Sequence, residues 1–286
     1  MLLSSVLYRS FSLSVMVVGL LSACQTEQAP PVSQQPLLTK EITTRYIAGQ
    51  KPILASSHAP LIVDGIPYYY VSQFEQAYQY DTQSRLILVK QTNLDDPDGP
   101  YQGNESNWYH YVGNTVIQKR SIVSGDNGDT LTLNRLGYAI PTHSVRIMTT
   151  YTYDENGYLL RRQSPYEITL RTVDNENVIK QVVQSGATMS STETTDYVYD
   201  VTRPALPDPL ALFREGKGSR NLLTSVNTQT LSVWSFPPYT SYSTVKTRYA
   251  YEFDDQNRVK QQTIFETDGV GNNSNTLLVK NFIYSN

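Results

Sequence analysis

Short stretches of alternating apolar and polar residues, separated by polar turns, run through most of this chain. Residues 151–162 show the unit most clearly, because Tyr-Thr-Tyr is followed by Asp-Glu-Asn-Gly and then by Tyr-Leu-Leu-Arg-Arg. Asp154 suits the first position of a turn, and Gly157 can adopt a positive φ without strain. Alternate residues of a strand share a face, so Tyr153 should pack beside Leu159. The stretch predicts a β-hairpin with a three-residue loop.

The same spacing recurs in four other places, so the pattern is a repeat. The repeat turn residues of the five copies are Asp81, Asn134 with Gly137, Asp154 with Gly157, Asp174 with Asn177, and Asp254 with Asn257. Turn geometry and cross-strand packing account for these residues, so we interpret them as structural. The predicted fold is all-β, an antiparallel meander of β-hairpins that forms a curved sheet, a half-barrel or a sandwich.

The repeat also carries a family resemblance. Its pattern Tyr-x-Tyr-Asp-x-x-Gly-x-Leu resembles the YD repeats of Rhs-type bacterial surface and toxin-shell proteins. The order of a Tyr-Asp hairpin, residues 130–137 and residues 151–159 is more similar to a family of uncharacterised bacterial lipoproteins. The resemblance covers roughly Tyr68 to the C-terminus, and it implies a curved antiparallel sheet without known enzymatic activity. The copies are too few to wrap a toxin-sized shell, so the encapsulating role is not carried over.

Three segments interrupt or flank the repeats. Residues 93–107 are rich in Asp, Pro, Gly and Asn and predict a long surface loop. One short helix is predicted at 208–216, with Asp208 as its cap, Phe213 in an apolar patch and Gly216 at its end. The alternating residues Leu277 to Tyr284 predict a closing strand.

The N-terminus resembles a lipoprotein signal peptide. Arg9 precedes an apolar segment, and Leu21, Ser22 and Ala23 form a lipobox before Cys24, the only cysteine. The predicted divisions are a signal peptide at 1–23, a lipidated Cys24 with a flexible tether at 24–45, and a single hairpin domain at 46–286. Because Gln25 does not resemble an aspartate retention signal, an outer-membrane location is favoured within the bacterial cell envelope.

Composition excludes some partners and points to others. The formal charge of −3 leaves no basic surplus to attract nucleic acid. Tyrosine is abundant, with 22 residues against seven phenylalanines and two tryptophans. Tyrosine is favoured in strands and combines an apolar ring with a polar hydroxyl, so its use is typical of a sheet with partly solvated faces.

No constellation for catalysis or metal binding emerges. His58, His110 and His143 stand far apart and lack the spacing of zinc ligands, so neither a metal nor another cofactor is predicted. The acidic loops at 95–99 and 126–129 offer oxygen ligands but do not match the EF-hand spacing, and solvated turns explain them better than calcium sites. Many carboxylates are present, yet the repeated aspartates already have a structural explanation. A carboxylate-dependent hydrolase is therefore the less favoured alternative.

Aromatic residues near loops supply the ligand hypothesis. The candidates are Trp108, Tyr109, Tyr111, Trp234 and Tyr239, whose rings could stack on sugars or on an envelope protein. Rings packed across strands would instead belong to the core. The sequence thus predicts a non-enzymatic, membrane-anchored lipoprotein that serves as a binding or structural module, with glycan binding as the alternative.

Overall fold

The structure is a computed structural model. It describes residues 36–49, 58–95, 104–120, 129–134, 137–141, 149–186, 189–210, 216–235, 238–268 and 273–285. The signal peptide, the lipobox and Cys24 lie outside these residues, as do His143 and Phe213.

The described residues form 17 strands in one sheet, which confirms the all-β prediction and excludes a sandwich for this part of the chain. The strands are β1 (Leu38–Ala48), β2 (Leu61–Val63), β3 (Ile66–Tyr80), β4 (Leu86–Asn93), β5 (Glu105–Val112), β6 (Thr115–Arg120), β7 (Asp129–Leu133), β8 (Ala139–Pro141), β9 (Thr150–Tyr153), β10 (Leu159–Gln163), β11 (Glu167–Asp174), β12 (Asn177–Gly186), β13 (Met189–Pro204), β14 (Asn221–Ser235), β15 (Pro238–Phe253), β16 (Val259–Asp268) and β17 (Asn273–Tyr284).

Hairpins follow one another along the chain, and the first strand joins the two ends of the meander. Strands β9 to β17 pair consecutively and antiparallel, and so do β3 to β8. Strand β1 lies between β17 and β3, with Glu41 opposite both Phe282 and Gln76. The pairing of β1 therefore makes the N-terminal and C-terminal strands neighbours.

The repeat turns lie at one end of the sheet, which we call the turn end. The copies at Asn134, Asp154 and Asp174 are twenty residues apart. Each interval contains one strand that leaves the turn end and one strand that returns to it, so successive turns lie at the same end. In four copies the first turn residue accepts, through Oδ1, the amide of the residue four positions later: Asp81 from Arg85 at 2.9 Å, Asn134 from Tyr138 at 3.0 Å, Asp154 from Tyr158 at 2.8 Å and Asp254 from Arg258 at 2.8 Å. The residues before these donors have φ between 59° and 91°. The three-residue loop with a left-handed last residue thus occurs in these four copies.

The copy at Asp174 differs from the sequence prediction. Asp174 pairs directly with Asn177, so this turn has two residues, and the positive φ values belong to Asn175 (48°) and Glu176 (63°). Asn177 is therefore a strand residue and not the left-handed one. Its buried side chain bonds Asn221 instead, which fixes the start of β14 beside the start of β12.

The sheet is curved, and its concave face is identified by a shared cavity. Gln76 and Tyr78 of β3 and Tyr197 of β13 line the same space, although several strands separate β3 from β13 along the sheet. The convex face carries the alternate positions, including the charged pair Lys180 and Asp196. Both faces are thus partly polar, as the tyrosine-rich composition predicted.

Most of the apolar core lies on the concave side at the turn end. Leu86, Val89, Tyr109 and Val116 are buried there. Residues 205–210 contribute Leu206 and Leu210, which pack on this cluster from above the sheet. A smaller cluster around Tyr68, Leu277 and Val279 lies further along strands β3 and β17.

Six tyrosines bind the strands together at the turn end. Each donates its hydroxyl to a backbone carbonyl of another strand or turn: Tyr80 to Leu38 at 2.7 Å, Tyr111 to Leu86 at 2.9 Å, Tyr158 to Glu176 at 2.7 Å, Tyr199 to Val178 at 2.8 Å, Tyr251 to Leu223 at 2.5 Å and Tyr284 to Val259 at 2.9 Å. Each bond contributes roughly 0.5–1.5 kcal/mol net. The abundance of tyrosine is therefore explained in part by this set of cross-strand bonds, which we call the tyrosine ladder.

Three predicted boundaries need correction. Strand β1 (Leu38–Ala48) begins within residues 24–45, which the sequence assigned to the lipidated cysteine and the flexible tether. Strand β5 begins at Glu105, so the loop predicted at 93–107 is shorter. At the predicted helix, residues 208–210 form a turn in which Asp208 Oδ1 accepts the Leu210 amide at 3.0 Å. The described residues contain no helix, and residues 211–215 lie outside them.

Candidate functional site

A cavity of about 460 Å³ opens on the concave face, between the sheet and residues 205–210. Its apolar side chains are those of Leu38, Leu206, Leu210, Leu222 and Phe282. Phenols and amides line the same cavity, from Tyr78, Tyr197, Tyr251, Gln76 and Gln262. A ligand that has both apolar and hydrogen-bonding groups matches this lining.

The chain that covers the cavity is held by backbone bonds. Ala205 N–H donates to Arg220 O at 2.8 Å, so the two ends of the excursion from β13 to β14 lie together. Lys217 N–H donates to Gly157 O at 2.8 Å, which ties the excursion to the turn of the Asp154 repeat. Gly216 has a φ of 92°, and a Cβ there would lie 2.7 Å from Leu159 N. Only glycine fits this close approach of two backbones.

Glu176 gives the same segment an electrostatic attachment. Its carboxylate lies 3.3 Å from Lys217 Nζ and 2.8 Å from Arg220 Nη1. Hydrogen bonds from Lys217 and Arg220, followed by the charge of Lys217, lower the pKa of Glu176. The Lys217 ammonium also lies 4.9 Å from the centre of the Tyr158 ring. We call residues 216–220 the strap, since they join the hairpin turns at Gly157 and Glu176.

Two charged groups that line the cavity form an ion pair. Glu41 Oε1 lies 2.8 Å from Lys280 Nζ and also accepts a bond from the Thr43 hydroxyl at 3.1 Å. The Glu41 side chain is only 13% exposed, so its pairing with Lys280 offsets the cost of burial. These two residues lie 239 positions apart in the sequence, and β1 and β17 bring them together.

Burial keeps the tyrosines that line the cavity in the neutral form. Burial raises the pKa of Tyr251 to about 12, and its hydroxyl accepts a bond from Gln262 Nε2 at 3.0 Å. Burial, and then the charge of Glu41, raises the pKa of Tyr78, which donates to Gln76 Oε1 at 3.0 Å. At physiological pH these residues therefore offer a ligand neutral hydrogen-bond donors and acceptors.

The cavity continues beneath the strap into a second space of about 420 Å³. Tyr197, Tyr199, Gly218 and Ser219 line both spaces. Arg171 adds a positive charge to the second space and donates through Nε to Gln181 Oε1 at 2.8 Å. The concave face therefore presents one extended groove whose polar residues come from many strands.

The aromatic residues predicted from sequence do not converge on this groove. Tyr109 is 7% exposed and belongs to the core, and Tyr111 donates to Leu86 O while Arg85 stacks 4.6 Å from its ring. Trp108 occupies the convex side of β5 and is 45% exposed. Trp234 and Tyr239 face each other across β14 and β15 at the far end of the sheet. Sequence reasoning missed the groove because its residues share no local motif.

Two of the acidic and histidine candidates, Asp95 and His58, have structural contacts. Asp95 accepts bonds from the Tyr70 hydroxyl and, at 3.0 Å, from the Gln73 amide. His58 stacks on Tyr70 with ring centres 4.6 Å apart. Among the described residues, no three His, Cys, Asp or Glu side chains are placed to hold a metal ion. The same residues include no helix with the length and apolar character needed to cross a membrane.

Comparison with known proteins gives a likeness at low identity. No protein-family model matches the chain, and no curated protein matches it. A porin-like protein from Bacteroides uniformis is 15% identical, with a TM-score of 0.49 over 88% of this chain and 99% of that chain. A porin-like protein from Bacteroides vulgatus is 10% identical, with a TM-score of 0.29 over the same shares. Such values say nothing about shared chemistry, so function has to be inferred from the residues of this chain.

Proposed function

We propose that this protein is a lipid-anchored, non-enzymatic module of the bacterial cell envelope that binds an amphipathic ligand in its concave groove. The cavity between the sheet and residues 205–210 is the observation that carries the proposal. Its apolar side chains suit a hydrocarbon or ring surface, and its neutral phenols and amides suit hydroxyl or carbonyl groups. The lipobox before Cys24 supports the anchor.

Binding is favoured over hydrolysis by the state of the carboxylates in the cavity. Glu41 and Asp208 both line it, as a glycoside hydrolase would require of two carboxylates. Glu41 is engaged by Lys280, however, and Asp208 accepts the backbone amide of Leu210. Each carboxylate thus has a structural partner, and the proposal assigns neither of them to catalysis.

Anchoring is tested by the Cys24→Ala variant. Lipidation requires the thiol, and each buried CH₂ of an acyl chain contributes about 0.8 kcal/mol to membrane binding. We expect the variant either to leave the membrane fraction or to remain unprocessed, as seen by fractionation and by the mass of the protein. A Cys24→Ala protein that still fractionates as mature membrane protein would show that the anchor assignment is wrong.

Ligand binding in the groove is tested by filling it at Gly218. A Cβ at Gly218 meets nothing within 4 Å, and the residue lines both spaces, so Gly218→Phe should block the groove without disturbing the backbone. With the amphipathic dye anilinonaphthalene sulfonate as the probe, we expect the full-length protein to bind and Gly218→Phe to bind at least about tenfold more weakly.

The matched control is Gly218→Ala, which leaves most of the groove open and should bind the dye like the unmodified protein. Circular dichroism checks that both variants keep their sheet. Equal dye binding by Gly218→Phe and Gly218→Ala would place the dye elsewhere and would contradict the proposed site.

A further inference from the structure

The hairpin formed by β14 and β15 carries a long uncharged stretch that includes its far end. Residues 221–245 contain no Asp, Glu, Lys or Arg, although charged residues make up 17% of the chain. The two strands pair without interruption from Ser225 with Arg248 to Ser235 with Pro238. The far part of this hairpin is therefore a regular surface of neutral side chains.

One face of the hairpin combines two exposed rings with hydroxyl groups. Trp234 lies opposite Tyr239, and their exposures are 46% and 61%. The next two pairs on the same face are Ser232 with Ser241 and Thr230 with Ser243. In the described part of the chain, neither ring makes a ring–ring or cation–π contact. Both rings are thus available to stack on a ligand.

The opposite face of the same hairpin provides an internal comparison. It carries Leu231 opposite Tyr242, and Val233 opposite Thr240. Tyr242 is 65% exposed, so it matches Tyr239 in ring type and in exposure. Tyr242 lies opposite Leu231, so this face has no second aromatic ring directly across the hairpin. The two faces therefore separate a paired aromatic site from a single exposed tyrosine.

The face that carries Trp234 and Tyr239, which we call the paired face, has side chains that suit one class of ligand. A flat ring with an apolar face can cover the C–H surface of a sugar, and neighbouring hydroxyl groups can donate to and accept from its oxygens. An anionic ligand would need Lys or Arg, and residues 221–245 contain neither. The nearest charge across the next strand is Glu193, opposite Thr230, which would repel an anion further.

The face also lies far from the start of β1. Leu38, where β1 begins, lies at the turn end beside Tyr284. Strand β14 starts at that end and runs for 15 residues, about 50 Å at ~3.3 Å per residue, before it reaches Trp234 and Ser235. The paired face is thus far from the point at which the N-terminal segment joins the sheet.

We propose that the paired face of Trp234 and Tyr239 binds a neutral polysaccharide, with the two rings stacked on successive sugars and the Ser and Thr hydroxyls as hydrogen-bonding partners. The site lies on the same face of the sheet as Tyr197, eight residues beyond Val226 along β14, and neither ring is among the residues that line the groove. It depends neither on the proposed groove ligand nor on the anchor at Cys24.

Calorimetric titration of the full-length protein with three neutral hexasaccharides, cellohexaose, maltohexaose and N-acetylchitohexaose, tests the proposal. We expect at least one of them to bind with an affinity that does not change with salt concentration, because no ion pair is involved. Trp234→Ala and Tyr239→Ala should each weaken this binding at least about tenfold. Trp234→Phe, which keeps a ring, should retain part of it.

Tyr242→Ala and Trp108→Ala are the matched controls and should bind like the unmodified protein. Gly218→Phe should also bind normally, so failure at the hairpin and failure at the groove give different results. The proposal is overturned if none of the three sugars binds, or if Tyr242→Ala weakens binding as much as Tyr239→Ala. Binding of the full-length protein to added phosphatidylcholine vesicles that is lost in Trp234→Ala would assign the face to a lipid surface instead.

Discussion

The sheet is expected to unfold cooperatively as the pH rises from about 10 to about 12, because buried tyrosines must then ionise. Burial is the main cause that raises the pKa of Tyr80, Tyr111, Tyr251 and Tyr284 to about 12. All four donate hydroxyl protons to backbone carbonyls in the tyrosine ladder. Loss of these protons removes the bonds and leaves a negative charge beside each carbonyl.

The sign of the effect follows from linkage. A group whose pKa is higher in the folded state stabilises that state fully below its unfolded pKa of 10 and loses the contribution as the pH rises through its folded value. A shift of two units corresponds to about 2.7 kcal/mol, and solvent screening at half-buried rings reduces it. Several such contributions together are comparable with a net stability of roughly 5–15 kcal/mol.

Tyrosinate absorbance and the circular dichroism of the sheet, followed together against pH, test this expectation. The part of the absorbance that comes from the buried tyrosines should rise in the same transition in which the sheet signal is lost. Tyr251→Phe should lower the stability at neutral pH by roughly 1 kcal/mol, through the lost bond. Tyr166→Phe, at a ring that is 66% exposed, is the control and should leave the stability at neutral pH and the pH midpoint of unfolding unchanged. Tyrosinate absorbance that reaches its full amplitude while the sheet signal stays native would show that the ladder does not support the fold.

Gly216→Ala is expected to destabilise the protein by at least about 2 kcal/mol, since it combines backbone strain with a steric clash. The φ of 92° lies in the region that side chains disfavour. The new Cβ would also lie 2.7 Å from Leu159 N and 2.9 Å from Leu159 Cβ, and Leu159 is 1% exposed. Neither atom is the end of a flexible side chain, so the strap itself would have to move.

Two glycine controls separate the effect of backbone strain from the effect of the steric clash. Gly65→Ala introduces positive-φ strain alone, because its Cβ would meet nothing within 4 Å at a φ of 78°. Gly218→Ala introduces neither strain nor a clash. Denaturant unfolding should rank the loss of stability as Gly216→Ala, then Gly65→Ala, then Gly218→Ala. An equal loss of stability in Gly216→Ala and Gly65→Ala would mean that the strap moves away from Leu159 at no cost. The close approach to Leu159 would then contribute nothing to the destabilisation.

Movement of the strap would have a local signature. The contacts of Lys217 and Arg220 with Glu176 depend on the same segment. Hydrogen exchange should therefore show faster exchange at the Lys217 amide in Gly216→Ala, even at a pH where the sheet remains folded. The strap also covers the space beneath Tyr199, so the same variant should alter dye binding in the groove.

Local patterns in the sequence determined the elements of this protein. Alternation and turn chemistry identified strands and four of the five repeat turns, because Asp81, Asn134, Asp154 and Asp254 act through bonds that span at most four residues. The turn at Asp174 was misassigned: it has two residues, and Asn177 bonds Asn221, 44 positions away, a contact that no local pattern shows. The N-terminal lipobox is likewise a local signal, although Cys24 lies outside the described residues.

Only the tertiary structure decided which faces meet. The register of one sheet brings Glu41 to Lys280 and places Gln76 and Tyr197 on one cavity, across separations that carry no local pattern. It also sorted the aromatic candidates, which sequence could not distinguish, into core residues such as Tyr109 and exposed residues such as Trp234. The physical reason is that period-two alternation defines two faces for every strand, whereas curvature and pairing across the whole chain determine which face encloses a site.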